Sequence, residues 1–150
     1  MVGYSGTALA VKLGIKSGST LVLLDAPRDL ELFTPPGVTT LRRDIDHADV
    51  VVAFFIDVGK LEARIDELGS MIFPAGGLWL SWPKKAAGVE TDLSDNTVRE
   101  VALRRGLVDN KVCAVNATWS ALRVVWRKEL RQPGLEDRHA SSLGRERSNS

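Results

Sequence analysis

Gly76-Gly77-Leu78-Trp79-Leu80-Ser81-Trp82-Pro83-Lys84-Lys85 is the stretch from which the architecture can be worked out. A turn opens it, a short apolar run follows, and Pro83 with two lysines closes it. An apolar run bounded by turn residues reads as a strand buried on both faces. Its exit directs polar and aromatic groups to one edge of a sheet. Trp79 and Trp82 stand three apart and so face opposite sides of that strand. One belongs to the core; for the other, a cleft wall and packing against a helix are equal alternatives.

Upstream, Leu61, Ile65, Leu68 and Ile72 make a helical stripe between Val58 and Ile72, with Lys60, Glu62, Arg64, Asp66 and Glu67 turned to water. Before it, Ala48 to Ile56 is the strongest strand signal, again without alternation. Thr20 to Asp25 is a similar run, and Val38 to Leu41 reads as a short edge strand. Thr7 to Gly14 predicts a helix capped by Thr7, and Pro27 opens a second that ends by Thr34. Downstream of Lys85, residues 86–92 form a loop. Ser94 or Asp92 caps a further helix with Val98, Val101, Ala102 and Leu103 inward, stopped at Arg104-Arg105-Gly106. Val108 to Val115 and Ala121 to Trp126 are two closing strands in antiparallel connection.

Helices alternating with unalternated strands predict an α/β fold, a mostly parallel sheet covered on both faces with an antiparallel C-terminal edge strand. In such sheets ligands lie beyond the carboxyl ends of the strands. Those ends are Asp25-Ala26-Pro27, Ile56-Asp57, Ser81 to Lys85, and Asn116.

The chain of 150 residues is long enough for one buried core, and a net charge of +1 sets up no global field toward nucleic acid or membrane. No apolar run approaches the ~20 residues of a membrane span, and the amino terminus lacks a signal-peptide pattern, so the expected location is cytoplasmic. A lone Cys113 rules out an internal disulfide, and His47 and His139 lack ligand spacing to it, so no metal site is expected. Residues 1–130 read as a single domain. Residues 131–150 carry few apolar side chains and mixed charge, the composition of a disordered polar tail.

The candidate ligand-binding residues are Tyr4, Ser5, Asp25, Ser81, Trp82, Lys84, Lys85, Thr91 and Asp92. Lys84 and Lys85 beside Ser81 suit an anion, helped by the helix that starts after Asp92; a solvated lysine pair is the commoner outcome. Tyr4 to Thr7 is placed to fold over the strand ends, or only to cap its helix. Asp25 is a general base if buried, and a cap or surface group otherwise. Cys113 is expected to be an inert core thiol, and the Trp119-Ser120 turn either touches the cleft or closes the edge hairpin. No Ser-His-Asp set exists, so the catalytic residues and any cofactor stay unknown.

The element order resembles that of class I methyltransferases, and Pro74-Ala75-Gly76-Gly77-Leu78-Trp79-Leu80-Ser81 is similar to their strand with a Pro-x-Gly-Gly lead. That resemblance implies a three-layer Rossmann-like sheet and S-adenosylmethionine as cofactor. Those enzymes follow the first strand with a glycine-rich loop; here Pro27 and Asp29 stand in its place, which implies an altered cofactor loop.

A second resemblance is to a family of small bacterial proteins catalogued as domain of unknown function three thousand and fifty-two. It rests on Gly3-Tyr4-Ser5-Gly6-Thr7, Leu13-Gly14-Ile15-Lys16, Trp79 to Lys85, Thr91-Asp92-Leu93, Val98-Arg99-Glu100, Gly106-Leu107-Val108-Asp109, Lys111 to Val115 and Trp119-Ser120. The chain departs from that pattern at Ala8, Asp25 and Asn116, where Pro, Asn and Asp are usual. The family implies a fold and no activity. The expectation is therefore a domain that binds a small anionic ligand or a protein partner at the Ser81 to Lys85 edge, with a methyltransferase as the alternative.

Overall fold

The computed structural model describes residues 5–131. Among them, one sheet runs in the order β2-β1-β3-β4-β6-β5. Its strands are β1 (Thr20–Leu24), β2 (Thr39–Leu41), β3 (Val50–Phe54), β4 (Gly77–Pro83), β5 (Leu107–Ala114) and β6 (Trp119–Trp126). β1, β2, β3 and β4 are parallel, with Leu24 opposite Ala53 and Phe54 opposite Ser81. β6 runs antiparallel to both β4 and β5 and lies between them, so the antiparallel pairing forms the expected C-terminal edge.

Successive residues of each buried strand feed opposite cores, which is why the sequence shows no alternation. On one face, Leu78, Leu80 and Trp82 pack with α2 (Val58–Ile72) and α3 (Asp95–Leu103) through Leu61, Ile65, Leu68, Val98 and Val101. On the other, Leu21, Leu23, Val52, Phe54 and Trp79 pack with α1 (Gly6–Lys12) through Leu9, Ala10 and Leu13. The result is the three-layer α/β arrangement. Both tryptophans of the opening stretch are core: Trp79 is fully buried, and its indole Nε1–H donates to the Leu13 carbonyl at 3.0 Å.

Several expectations need correcting. The helix after Pro27 does not form; residues 25–38 make turns and irregular chain. Leu30 and Leu32 explain this. Their spacing of two suits an extended segment, and both are half-buried against the second core while Phe33 points out, 62% exposed. Ser5, not Thr7, caps α1, its Oγ accepting from Ala8 N–H at 3.1 Å. Leu103 is exposed, because it falls well off the stripe set by Val98, Val101 and Ala102. β6 starts at Trp119, two residues earlier than expected, because Trp119 still pairs with Pro83. A single 3-10 turn, Lys85–Ala87, interrupts the loop that follows β4.

Among the described residues no helix is long and apolar enough to cross a membrane, and no His/Cys/Asp/Glu group could hold a metal ion. Tyr4 and residues 132–150 lie outside the described residues, and with them most of the expected tail.

Candidate functional site

The parallel register puts the tips of β1, β3 and β4 on one rim, so Asp25 and Lys84 share it. The antiparallel β6 brings Trp119 to the same rim by pairing it with Pro83. Between these tips lies a cavity of about 480 Å³ walled by Asp25, Phe54, Phe55, Ile56, Lys60 and Trp119, with Ala63 and Arg64 of α2 behind them.

Its walls are chemically mixed. The Phe54 and Trp119 rings meet edge to face, with centroids 5.1 Å apart, and make a firm aromatic wall. Ile56, just past the end of β3, is 48% exposed, an apolar side chain held at the cavity mouth. Asp25 is exposed at the tip of β1 and adopts φ 58°, in the left-handed region that aspartate tolerates better than most residues. A non-glycine residue held there is a pointer to function.

The two cations of α2 differ in freedom. Arg64 is held by Asp44, at 2.7 and 2.9 Å, and by Glu67. The hydrogen bond to Asp44 foremost raises the guanidinium above its ordinary range, and the same bond lowers the Asp44 carboxyl. Arg64 is thus a wall. Lys60 is exposed and forms no ion pair with a described residue, so it can reach a ligand.

The residues expected from the sequence divide sharply. Asp25 lines the cavity. Lys84 is half-buried on the same rim, its N–H donating to the Thr118 carbonyl at 2.7 Å, and Lys85 is exposed beside it. Neither lysine lines the cavity. Thr91 Oγ1 donates to the Ile56 carbonyl at 2.6 Å and accepts from Leu93 N–H at 3.0 Å. Asp92 Oδ1 accepts from Val58 N–H at 2.9 Å, at the start of α2. Thr91 and Asp92 therefore stitch the loop after β4 to the β3–α2 turn. With Ile56, Asp57, Val89 and Glu90 they also line a shallower hollow of about 610 Å³.

Ser81 and Trp82 are buried, at 1% and 7% exposure. Trp82 packs in the α2–α3 core, and the Ser81 hydroxyl has no hydrogen-bond partner among the described residues. Ser5 is occupied as the cap of α1. Cys113 is half-buried against the α1-side core, and burial pushes its thiol up, away from the reactive thiolate.

Sequence reading missed Phe54, Phe55 and Lys60, and named Ile56 only as a strand end at the rim. One signal was available: Ile56 extends an apolar run past the strand's end, and Lys60 follows four residues later on the first turn of a helix.

The same rim does not suit S-adenosylmethionine. After β1 the chain reads Asp25-Ala26-Pro27-Arg28-Asp29, with no glycine before Gly37 and no helix before β2. Pro27 has no N–H to donate, and side chains stand where backbone must approach a ligand closely. These residues do not fit the cradle that the methyltransferase resemblance implies.

No protein-family model and no curated protein matches the chain. The likeness to the small bacterial family rests on its motifs alone. Among solved structures, the chain is similar to a SAM-dependent methyltransferase from Aquifex aeolicus, at 13% identity and TM-score 0.54, covering 78% of this chain and 87% of that one. It is likewise similar to magnesium protoporphyrin IX methyltransferase (ChlM) from Synechocystis PCC 6803, at 13% identity and TM-score 0.52, covering 80% of this chain and 75% of that one. A third is LepI in complex with SAH and a substrate analogue, at 10% identity and TM-score 0.51; 80% of this chain spans only 39% of LepI. At such identities the likeness is one of fold: the chain has the Rossmann-like, methyltransferase-type α/β architecture.

Proposed function

We propose that this domain binds a small ligand at the carboxyl rim of its sheet, in the cavity between Asp25, Phe54, Ile56, Lys60 and Trp119. The observation that carries this reading is the meeting of three strand tips around one hollow with an aromatic wall, a carboxylate and an exposed lysine. Such a concave site with a few convergent polar groups is the usual form of a ligand pocket. The ligand has a flat or apolar portion for Phe54, Ile56 and Trp119, and an anionic portion for Lys60, with Lys84 and Lys85 farther along the rim. Thr91 and Asp92 fix the floor of the neighbouring hollow. No catalytic residue is assigned.

A thermal-shift screen of nucleosides, nucleotides and aromatic carboxylates tests it, run on the natural chain, on Ile56→Asp and on Lys60→Ala. Both substituted side chains are exposed, so the fold is retained. Compounds that raise the melting temperature of the natural chain are expected to lose their effect in Ile56→Asp. Equal shifts in all three proteins would place the ligand elsewhere. Equal shifts in Lys84→Ala/Lys85→Ala would remove those two residues from the site.

The second reading is an S-adenosylmethionine-dependent methyltransferase with an altered cofactor loop. It is supported by the fold likeness and opposed by the residues after β1. Calorimetry with S-adenosylmethionine separates the two: saturable heat supports it, and its absence at millimolar ligand retires it.

A further inference from the structure

Away from the rim, on the α1 face of the sheet, a cavity of about 360 Å³ is lined by Lys12, Lys16, Lys111 and Arg123 together with Trp79 and Asn110. Four cations and no carboxylate share its walls, in a chain whose net charge is only +1. None of the four cationic side chains forms an ion pair or a hydrogen bond with a described residue; at Lys16 it is the carbonyl that accepts, from the Ser19 hydroxyl. Asp109, near Lys111 on β5, is engaged by Arg99 of α3, and Asp49 accepts from Thr20 N–H.

The arrangement follows from the fold. Trp79, Arg123 and Lys111 stand opposite one another on β4, β6 and β5, in a row across the sheet. The Arg123 guanidinium lies over the bare Gly77 backbone, with Nε and a terminal nitrogen 2.6 Å from where a Cβ would stand. Gly77 thus makes room for it, and the half-buried charge is disfavoured by desolvation with no described residue to offset it. Lys12 and Lys16 reach the same hollow from the end of α1 and the turn after it. The carbonyl end of α1 opposes an anion with only about half an elementary charge, against four full positive charges.

We propose that this pocket is a binding site for a small phosphate-bearing molecule. Arg123 grips the phosphate with its planar fork, and Lys12, Lys16 and Lys111 neutralise it. Four charges around one hollow match a multiply charged anion such as a diphosphate better than a single carboxylate. They form one concave cluster rather than a stripe along the surface, so a small molecule fits better than a nucleic-acid strand. The site is independent of the rim cavity.

Titration calorimetry with inorganic pyrophosphate at low ionic strength is the test, using the full chain. The expected result is saturable binding at one site, weakened about tenfold or more in Arg123→Gln and in Lys12→Ala/Lys111→Ala. Lys12 and Lys111 are exposed, so the double variant stays informative if Arg123→Gln folds poorly. Lys84→Ala/Lys85→Ala is expected to bind pyrophosphate as the natural chain does, which separates this site from the rim. No saturable heat, equal affinity in the pocket variants, or an equal loss in the rim variant would each overturn the proposal. So would a single-stranded oligonucleotide of about ten residues saturating where pyrophosphate does not.

Discussion

Gly76 and Gly77 are adjacent and look interchangeable in the sequence, yet they do different work. A Cβ on Gly76 would meet the Ala48 and Asp49 carbonyl oxygens at 2.9 Å and that of Ile72 at 3.0 Å. Backbone on three sides cannot move aside, so Gly76→Ala is expected to destabilise the fold by about 1–3 kcal/mol in chemical denaturation. At Gly77 the obstacle is the Arg123 side chain, which can swing away. Gly77→Ala is expected to cost well under about 1 kcal/mol. A second residue-scale prediction concerns Asp44. Its carboxyl is lowered below the usual aspartate value of 3.8, mainly by the hydrogen bond from Arg64. A depressed carboxyl contributes stability that is fully present above that value and is lost as pH falls through the lower, folded-state pKa. The pair is half-exposed, at 32% for Arg64 and 47% for Asp44. Its contribution is therefore no more than about 1 kcal/mol. Asp44→Asn is expected to lower stability at neutral pH by that amount. The difference from the natural chain should shrink as pH falls below about 4, the unfolded-state value, as read by urea unfolding across pH.

At the scale of elements, α2 shows how a helix start is held both by its own turn and by a distant loop. Asp57 caps it from its own turn, Oδ1 accepting from Lys60 N–H at 2.9 Å, and Asp92 caps it from the loop after β4 by accepting from Val58 N–H at 2.9 Å. Each replacement by alanine is expected to cost about 1 kcal/mol in thermal or chemical unfolding. Because both caps serve one turn, the double variant should deviate from the sum of the single effects. Independent, additive losses would show that the loop is not coupled to the helix. The span of α2 was legible to the residue, since its stripe of Leu61, Ile65, Leu68 and Ile72 has the helical period. The cap of α3 was also legible: Ser94 Oγ accepts from Thr97 N–H. Asp92, the alternative for the same role, is drawn instead to α2, a contact 34 residues away that no local pattern encodes.

At the scale of the whole molecule, the described chain closes on itself: Leu130 stands against Gly106, and the Trp126 indole donates to the Gly69 carbonyl at 2.8 Å. We propose that residues 1–130 fold as one unit, so a chain ended after Arg131 is expected to unfold in a single transition with an unchanged midpoint, measured by circular dichroism. A split transition would overturn the single unit, and a lowered midpoint would tie residues 132–150 to the core. The sequence alone determined the layer type, because long apolar runs can be satisfied only by a sheet covered on both faces. It also located the rim, because parallel strands must end together, and Asp25 stands on it. What only tertiary structure decided was which side chains at that rim face open space. Ser81 and Trp82 share the promising stretch but turn inward, since burial of β4 on both faces leaves them no exit. Phe54 and Trp119 are remote in the chain and no local pattern pairs them. They meet because β6 is inserted beside β4 and carries Trp119 back to the rim, where the two rings close one wall of the cavity.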